Sequence, residues 1–321
     1  MSKDRLVEID LIKGVLIFLV VVGHVTPKDI GLDWFSNLRS FIYGFHMPVF
    51  MMVSGYLFFL SGKHSLASDQ VFNYFRKIAD RLLVPFFFVG ILVVFGKYFS
   101  AFFLKVDDPV TNVFTGALRM FVQTSESPVQ SIWYLFVLFF CCVITAVFFK
   151  KNPWLLFLFS AVLVFFPDWD IFYFDKFKRY YVFFLIGGFV HLYRNWFFRR
   201  LYLGCLFLFA FFVSSVAFFG DDFRFIPMGV FGGFAFFCLN GFYKAQSLCF
   251  VEGLGKKSMA VYLLNTIAIG VVKGMVLKFY PETSSEILLF VLVVSGILIP
   301  LLLSFIVERF SVFLIFRKYL A

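Results

Sequence analysis

The most restrictive feature of this sequence is a succession of apolar runs, most of them close to the length that crosses a lipid bilayer. A run of about 20 apolar residues suits a transmembrane helix. Ten such runs lie at 9–26, 40–60, 82–104, 131–149, 153–167, 180–193, 201–219, 225–242, 258–277 and 287–307. The fifth and sixth are short and could form a re-entrant pair instead of two full spans. The pattern predicts an all-α polytopic membrane protein, a bundle of about ten transmembrane helices.

The composition excludes several other classes of protein. Hydrophobic residues make up 62% of the chain and charged residues 15%, whereas a soluble domain is about half apolar and a quarter charged. A soluble enzyme, a disordered chain and a disulfide-stapled secreted module are therefore excluded. The net charge of +10 does not indicate nucleic acid, because the basic residues sit in short loops, where they orient a membrane protein.

The distribution of basic residues predicts the topology. The N-terminal tail and alternate loops hold 17 of the 29 lysines and arginines, and the opposite loops hold 9. Because the number of spans is even, both termini fall on the basic side, which is normally cytoplasmic. No internal repeat or flexible linker divides the sequence, so we expect one membrane-embedded domain over residues 1–321. The first apolar run has acidic borders and no cleavage site, so we expect it to stay in the mature protein.

The first predicted span carries three polar residues at helical spacing. Asp10 and Lys13 are three residues apart and share a helix face. His24 follows Lys13 by 11 residues, which is about three turns, or roughly 16 Å. Because polar residues are costly in lipid, this stripe is a candidate site. An equally weighted alternative is a Lys13 that snorkels to the interface and a His24 that bonds to a carbonyl.

The second predicted span begins with an imidazole beside a proline. His46 precedes Pro48 by two residues, and Ser54 follows Pro48 by six residues. Proline breaks the helical hydrogen-bond ladder, and the freed backbone groups need partners. A kink beside an imidazole usually lines a cavity, so His46 and Ser54 are candidate substrate contacts. A structural histidine at a helix bend is at least as good an interpretation of His46.

A short cationic segment precedes the third predicted span. Arg76, Lys77 and Arg81 lie on its cytoplasmic side, and Lys77 and Arg81 share a helix face. Such a cluster suits the phosphates of a nucleotide-like ligand. For any one of these residues, a topology signal in contact with anionic lipid is the simpler explanation.

Taken in order, these segments resemble the acyltransferase-3 family of integral membrane acyltransferases, particularly its sugar O-acetyltransferase branch. The resemblance covers roughly residues 5–310, and its first two motifs are the most specific. The matching residues are Asp10, Lys13-Gly14, Gly23-His24, Phe45-His46-Met47-Pro48, Phe50, Ser54-Gly55-Tyr56, Arg81-Leu82-Leu83-Val84-Pro85, Trp133-Tyr134-Leu135, Phe184-Leu185-Ile186-Gly187-Gly188, Gly255, Ser258 and Tyr262-Leu263-Leu264.

The resemblance implies a multi-pass protein of the bacterial cytoplasmic membrane that uses cytoplasmic acetyl-CoA and no metal. It implies acyl transfer to a hydroxyl of a carbohydrate, lipid-linked or on the cell surface. His24 takes the place of the family's essential histidine and Lys13 that of a basic residue. Arg76 and Arg81 fall in the loop that meets the phosphates of CoA. Asn265 replaces a histidine found in many members, and we expect no fused esterase domain.

These features define a hypothesis for the site. His24 acts as base or acyl relay, and Asp10 orients Lys13 or lowers the cost of burying it. Lys13, Arg76, Lys77 and Arg81 bind acetyl-CoA. The acceptor contacts His46, Ser54, Trp133 and Asn265.

Two other functions fit parts of the pattern. A secondary transporter or flippase accounts for many spans, broken helices and intramembrane charge, but not for a basic cluster aligned with Lys13 and His24. A structural membrane partner with a degenerate site is favoured by Asn265, whereas the intact Lys13 and His24 argue against it. Membrane lipids are the other expected partners, and no sequence feature specifies an oligomeric state.

Overall fold

The computed structural model describes residues 7–26, 30–104, 106–197, 200–239, 249–309 and 319. These residues fold into α-helices joined by short loops and 3₁₀ turns. In chain order the helices are α1 (Val7–His24), α2 (Asp33–Tyr43), α3 (His46–Leu60), α4 (Ser68–Ser100), α5 (Val113–Leu118), α6 (Trp133–Phe148), α7 (Pro153–Leu163), α8 (Phe174–Leu192), α9 (Arg194–Phe197), α10 (Leu201–Ala217), α11 (Phe225–Leu239), α12 (Cys249–Lys256), α13 (Ser258–Phe279) and α14 (Ser285–Arg309).

The predicted all-helical class is confirmed for the described residues, which contain no strand beyond one isolated bridge between Val122 and Ile171. Within them, six stretches are long and apolar enough to cross a membrane. They are Asp33–Leu60, Asp69–Ser100, Gln130–Phe148, Asp222–Leu239, Ser258–Phe279 and Ser285–Arg309. The chain is therefore a multi-pass membrane protein. Ten spans and cytoplasmic termini stay predictions, and residues 1–6, 310–318, 320 and 321 lie outside the described ranges.

The helices beyond these six are too charged or too short to qualify by length and composition. α1 has 18 residues and carries Glu8, Asp10 and Lys13. α8 begins with four charged side chains among its first six residues. The 11 residues of α7 extend about 16 Å, roughly half the hydrocarbon thickness of a bilayer. The expected short fifth span is thus a helix that does not reach across by itself.

The predicted second span, 40–60, is two helices. α2 ends at Tyr43, and α3 begins at His46 after a break at Gly44 and Phe45. Pro48 consequently occupies the first turn of α3. A proline is tolerated there because the amide at that position has no intrahelical acceptor. The sequence predicted a kink at the proline, and the structure places a break just before it.

The described chain forms two compact units. The first combines the segments 1–61 and 183–261, and the second combines 62–182 and 262–321. Two of the three boundaries fall inside α8 and α13, so these two helices contribute residues to both units. The single domain expected over residues 1–321 stays a prediction.

Close backbone packing at glycines organises the first unit. A Cβ atom on Gly55 of α3 would lie 1.8 Å from the carbonyl oxygen of Phe184 on α8, and one on Gly187 would lie 1.9 Å from that of Met52. Only glycine permits two helix backbones to approach this closely. α3 is buried along nearly its whole length and forms the centre of this unit.

Aromatic contacts dominate the second unit. Phe86 of α4 packs against Phe136 of α6, with ring centroids 5.2 Å apart. Both rings are buried, and aromatic pairs in this geometry add about 0.5–1.5 kcal/mol beyond their area. The hydroxyls of Thr145 on α6 and Tyr181 on α8 are hydrogen-bonded at 3.1 Å. This packing fixes α6 against α4.

Two loops of the second unit are joined by hydrogen bonds of Asp170 to Thr124 and Ser125, a contact called the clasp below. The carboxylate of Asp170 accepts hydrogen bonds from the hydroxyl of Thr124 at 2.8 Å and from the amide of Ser125 at 2.7 Å. Burial opposes ionisation of Asp170, but these hydrogen bonds outweigh it and hold its pKa below the ordinary value. Phe172 and Tyr173 both adopt left-handed backbone conformations, with φ of 53° and 54°. The clasp over-determines this strained turn.

Candidate functional site

The N-terminal half of α1 carries a buried ion pair. The ammonium of Lys13 lies 2.7 Å from the carboxylate of Asp10. The side chain of Asp10 is 6% exposed and that of Lys13 is 20% exposed. Breaking such a pair leaves an uncompensated charge, so each partner makes burial of the other tolerable. The two residues, which their spacing predicted on one helix face, are therefore in direct contact.

Helix α12 covers this ion pair. A Cβ on Gly255 would lie 1.8 Å from the carbonyl oxygen of Asp10, and one on Gly14 would lie 2.0 Å from that of Val251. The two helices run antiparallel at this contact, since residues 10 and 14 of α1 face residues 255 and 251 of α12. α12 also carries an ion pair between Glu252 and Lys256. Gly255 is thus a position of close packing against α1.

His24 is the last residue of the same continuous helix. Along an ideal helix it lies roughly 16 Å from Lys13 and about 20° from it around the axis. Its side chain is half-buried. α1 therefore places a cation–carboxylate pair and an imidazole along one stripe, near opposite ends.

Side chains of α2 cap the end of α1 beside His24. The Nε of Arg39 donates to the carbonyl oxygen of Gly23 at 2.8 Å, and the hydroxyl of Tyr43 donates to the same oxygen at 3.2 Å. Arg39 Nη2 also donates to that hydroxyl at 3.2 Å. The guanidinium lies 4.4 Å from the centre of the Tyr43 ring.

His46 belongs to this group of residues. It is 4% exposed, and its Nδ1 lies 2.7 Å from the carbonyl oxygen of Ile42. Because a carbonyl can only accept, Nδ1 carries the proton and Nε2 of the neutral ring is the acceptor. The ring packs edge-on against Tyr43, with centroids 5.0 Å apart. His24 and Arg39 are near enough for their charges to act on His46.

Ser54 lies two turns further along α3 than His46. Its hydroxyl donates to the carbonyl oxygen of Phe50 at 3.0 Å, a back-bond to the preceding turn that often bends a helix. The eight residues between His46 and Ser54 correspond to about 12 Å of helix. Both lie in the first unit, and the structure gives no direct contact between them.

The predicted cationic segment lies on α4 in the second unit. Arg76, Lys77 and Arg81 are all exposed. The charge of Arg81 reaches Tyr74 and Cys142, whose side chains are hydrogen-bonded to each other.

Asp80, the acidic member of this segment, accepts a hydrogen bond from the hydroxyl of Tyr319 at 3.0 Å. Its carboxylate is therefore engaged by the C-terminal part of the chain. The exposed side chains of Arg76, Lys77 and Arg81 are accessible to the phosphate oxygens of a ligand.

Trp133 and Asn265 lie on α6 and α13, two helices that are joined by hydrogen bonds. Trp133 stacks on Tyr180, with ring centroids 5.0 Å apart. The backbone amide of Tyr134 donates to the hydroxyl of Tyr262 at 3.2 Å. Asn265 is fully buried, and its Nδ2 donates to the carbonyl oxygen of Tyr262 at 2.9 Å. These contacts join the start of α6 to α13.

The structure thus groups the candidate residues into local sets. Asp10 pairs with Lys13, and His24 lies near His46. Trp133 and Asn265 lie on helices that hydrogen bonds of Tyr262 connect. Arg39 and Tyr43 were not singled out from the sequence. The available signal was their i,i+4 spacing next to the His46-Met47-Pro48 segment, but the predicted span began at residue 40 and obscured it.

Metal chemistry has no obvious donors in the described part of the chain. There, no three or more histidine, cysteine, aspartate or glutamate side chains gather where they could hold an ion. The polar side chains that the structure does gather are cations, imidazoles and single carboxylates, which suit binding of an anionic donor and proton transfer.

Comparison with known protein families decides the class. The acyltransferase-3 family, described as an acyltransferase domain, matches residues 6–309. The chain belongs to this family. The match contains both ends of the α1 stripe and every other candidate residue named above, so the predicted resemblance is confirmed. No solved structure matches the acyltransferase chain significantly.

Two curated proteins are similar to parts of this acyltransferase. Nodulation protein NolL of Sinorhizobium fredii is 30% identical over 178 residues, which are 52% of this chain and 43% of that protein. Nodulation protein NolL of Mesorhizobium japonicum is 45% identical over 60 residues, covering 17% of this chain and 16% of that protein. The matches span less than half the length of either relative.

Proposed function

We propose that this protein is a membrane O-acyltransferase that moves an acetyl group from cytoplasmic acetyl-CoA to a hydroxyl of a carbohydrate. The proposed acceptor is lipid-linked or part of a surface glycan. The observation that carries the proposal is the single helix α1 in a chain of the acyltransferase family: it holds a buried Asp10–Lys13 pair three turns before His24.

The proposed chemistry requires one group that accepts a proton. The imidazole of His24 removes the proton of the acceptor hydroxyl while its oxygen attacks the thioester carbonyl. The tetrahedral oxyanion then collapses, the carbon–sulfur bond breaks, and the CoA thiolate takes the proton from the imidazolium. Acetyl moves from sulfur to oxygen, and no other reactant is consumed.

A relay form of the mechanism uses the same residue differently. The imidazole attacks the thioester first, CoA leaves, and the acetyl-imidazole passes its acetyl group to the hydroxyl. The relay form predicts that enzyme incubated with labelled acetyl-CoA and no acceptor retains label that hydroxylamine releases. The base form predicts no retained label.

Lys13 supplies the positive charge at the donor end of the stripe. Asp10 lies 2.7 Å from it and lowers the cost of burying an ammonium in this position. We expect Lys13→Met to lower transfer at least tenfold and Lys13→Arg to retain it, because a guanidinium preserves charge and reach. A matched substitution of Lys278, an exposed lysine of α13, should leave transfer unchanged.

A separate hypothesis concerns the second unit alone. The exposed Arg76, Lys77 and Arg81 of α4 bind the phosphates of the donor, as charge-assisted hydrogen bonds favour. Their replacement by glutamine should raise the KM for acetyl-CoA and leave kcat nearly constant. Using 3′-dephospho-acetyl-CoA as donor should remove much of the difference between the wild type and the variants.

The experiment that tests the proposed function compares cell-surface glycans by mass spectrometry. Cells with the wild-type gene should show a mass shift of one acetyl group that is absent without the gene. His24→Ala should abolish this shift at normal membrane abundance, whereas His64→Ala should preserve it. Full acetylation by His24→Ala would exclude both the base and the relay roles.

A further inference from the structure

A closed triangle of hydrogen bonds lies at the end of α1. Arg39 and Tyr43 both donate to the carbonyl oxygen of Gly23, and Arg39 also donates to the hydroxyl of Tyr43. The last four carbonyl groups of an α-helix have no intrahelical donor. Gly23 lies one residue before the end of α1, so the triangle satisfies one of these carbonyls with a cation, the charge that a helix C-terminus favours.

The carbonyl of Gly23, which accepts these hydrogen bonds, belongs to the peptide bond between Gly23 and His24. The carbonyl of Gly23 and the amide nitrogen of His24 are parts of one planar group. Holding that oxygen at 2.8 Å therefore fixes the plane from which the His24 side chain projects.

The sequence at Gly23 makes this geometry possible. A Cβ there would lie 2.9 Å from the Tyr43 ring, closer than an ordinary contact. The absence of a side chain lets Tyr43 lie against α1 and bring Arg39 with it, since the two are stacked at 4.4 Å. The same ring packs against His46. The triangle thus connects the ends of α1, α2 and α3.

We propose that Arg39, with Tyr43, is a positioning residue that holds the His24 imidazole in its transfer geometry. This inference rests on the proposed function of His24. Arg39 acts through the Gly23 peptide and contacts neither the donor nor the acceptor. Its guanidinium is suited to the task, because a planar fork can reach the carbonyl and the hydroxyl together. A lysine retains the charge but has one donor group in place of the fork.

Arg224 is a matched control, because it donates to the residue next to Arg39. Arg224 donates to the hydroxyl of Ser40 at 2.9 Å. This second arginine therefore also binds α2, at the residue next to Arg39, but it is not part of the triangle. Arg224→Met removes an arginine that donates to α2 without releasing the Gly23 carbonyl.

The test measures steady-state transfer with purified protein and a dye-based unfolding control. Arg39→Met should lower kcat by about 10- to 100-fold, since a misplacement near 1 Å costs this much, while both KM values stay within about twofold. Arg39→Lys should not restore kcat. Tyr43→Phe should cause a smaller loss, and Arg224→Met should match the wild type. If Arg39→Met does not fold, the kcat of Tyr43→Phe tests the proposal, and a wild-type kcat for that variant would refute it.

Three results would overturn the proposal. One is a folded Arg39→Met protein with wild-type kcat. Another is full rescue by Arg39→Lys, which would assign the effect to charge alone. The third is an increased KM for the acceptor at constant kcat, which would make Arg39 a substrate-binding residue.

A second readout is independent of transfer. The chain has four histidines, so ring signals of histidine-labelled protein can be assigned by NMR with four single variants. Arg39→Met should shift the His24 and His46 signals and leave those of His64 and His191 in place. Arg224→Met should shift none of them. If the wild type transfers no acetyl, the proposed function fails, and an unshifted His24 signal separately refutes positioning.

Discussion

The contact between α1 and α12 provides a sharp test, because α12 contains two glycines in opposite surroundings. A Cβ at Gly255 would lie 1.8 Å from the carbonyl oxygen of Asp10, whereas a Cβ at Gly253 would meet nothing within 4 Å. Gly255→Ala and Gly253→Ala therefore add the same methyl group to the same helix. Only the first should force the two helices apart.

The expected magnitude follows from the geometry. The new methyl must retreat by about 1.4 Å to reach a tight contact of about 3.2 Å, and the obstacle is backbone that cannot rotate away. Overpacking costs about 1–3 kcal/mol, and we take the upper end. Alanine returns about 1 kcal/mol of helix propensity at either position. Gly255→Ala should lose about 2 kcal/mol net, and Gly253→Ala should gain up to about 1 kcal/mol.

Thermal unfolding in detergent with a thiol-reactive dye measures both variants. Cys141, Cys142 and Cys238 are buried, so their exposure reports unfolding. The unfolding temperature should rank Gly253→Ala at or above the wild type and Gly255→Ala several degrees below it. Gly255→Ala should also lower transfer, because Asp10 moves with the helix. Equal unfolding temperatures for the two variants would refute the close approach of α1 and α12.

Three further predictions concern electrostatics and the outer side chains. Because the pKa of Asp170 is lowered, its carboxylate should stabilise the fold fully above about pH 4, and this stabilisation should be lost as the pH falls further. Asp170→Asn should therefore make unfolding less sensitive to acid. An unchanged dependence of unfolding on pH would argue against the clasp. Asp107→Asn should destabilise the protein by about 1–3 kcal/mol, because it leaves the buried ammonium of Lys273 without its counter-ion. Lys273→Met should cost less, because the carboxylate that it leaves unpaired is mostly exposed. A larger loss for Lys273→Met would contradict this reasoning. Trp133→Ala should raise the KM for the carbohydrate acceptor severalfold while Trp154→Ala, at an exposed position, should not, as acceptor titrations would reveal.

The sequence predicted those features that depend on local periodicity. Asp10 and Lys13 were expected on one face of a helix, and the structure shows them in direct contact. Each predicted run overlaps a helix in the described part of the chain, because hydrophobicity and helix propensity act over neighbouring residues. Family membership was likewise readable from motifs in α1 and α3, and it is confirmed over residues 6–309.

Features that depend on distant residues could not be predicted in this way. The Arg39–Gly23 hydrogen bond joins positions 16 residues apart, and the Gly255–Asp10 contact joins positions 245 apart. Neither leaves a periodic signal. The division of the second run into α2 and α3 was also missed, because a proline in an apolar run can lie inside a helix, as Pro85 does in α4, or in its first turn, as Pro48 does.

The central claim is that α1 connects a donor end at Lys13 to a transfer end at His24, and one measurement tests it directly. Purified protein in lipid vesicles is given acetyl-CoA labelled in the acetyl carbon together with an extract of the cell's lipid-linked glycans. The wild type should release CoA thiol in an amount equal to the label transferred to the glycan, whereas His24→Ala and Lys13→Met should neither release thiol nor transfer label. Label that crosses the membrane without release of CoA thiol, or transfer that persists in both variants, would contradict it.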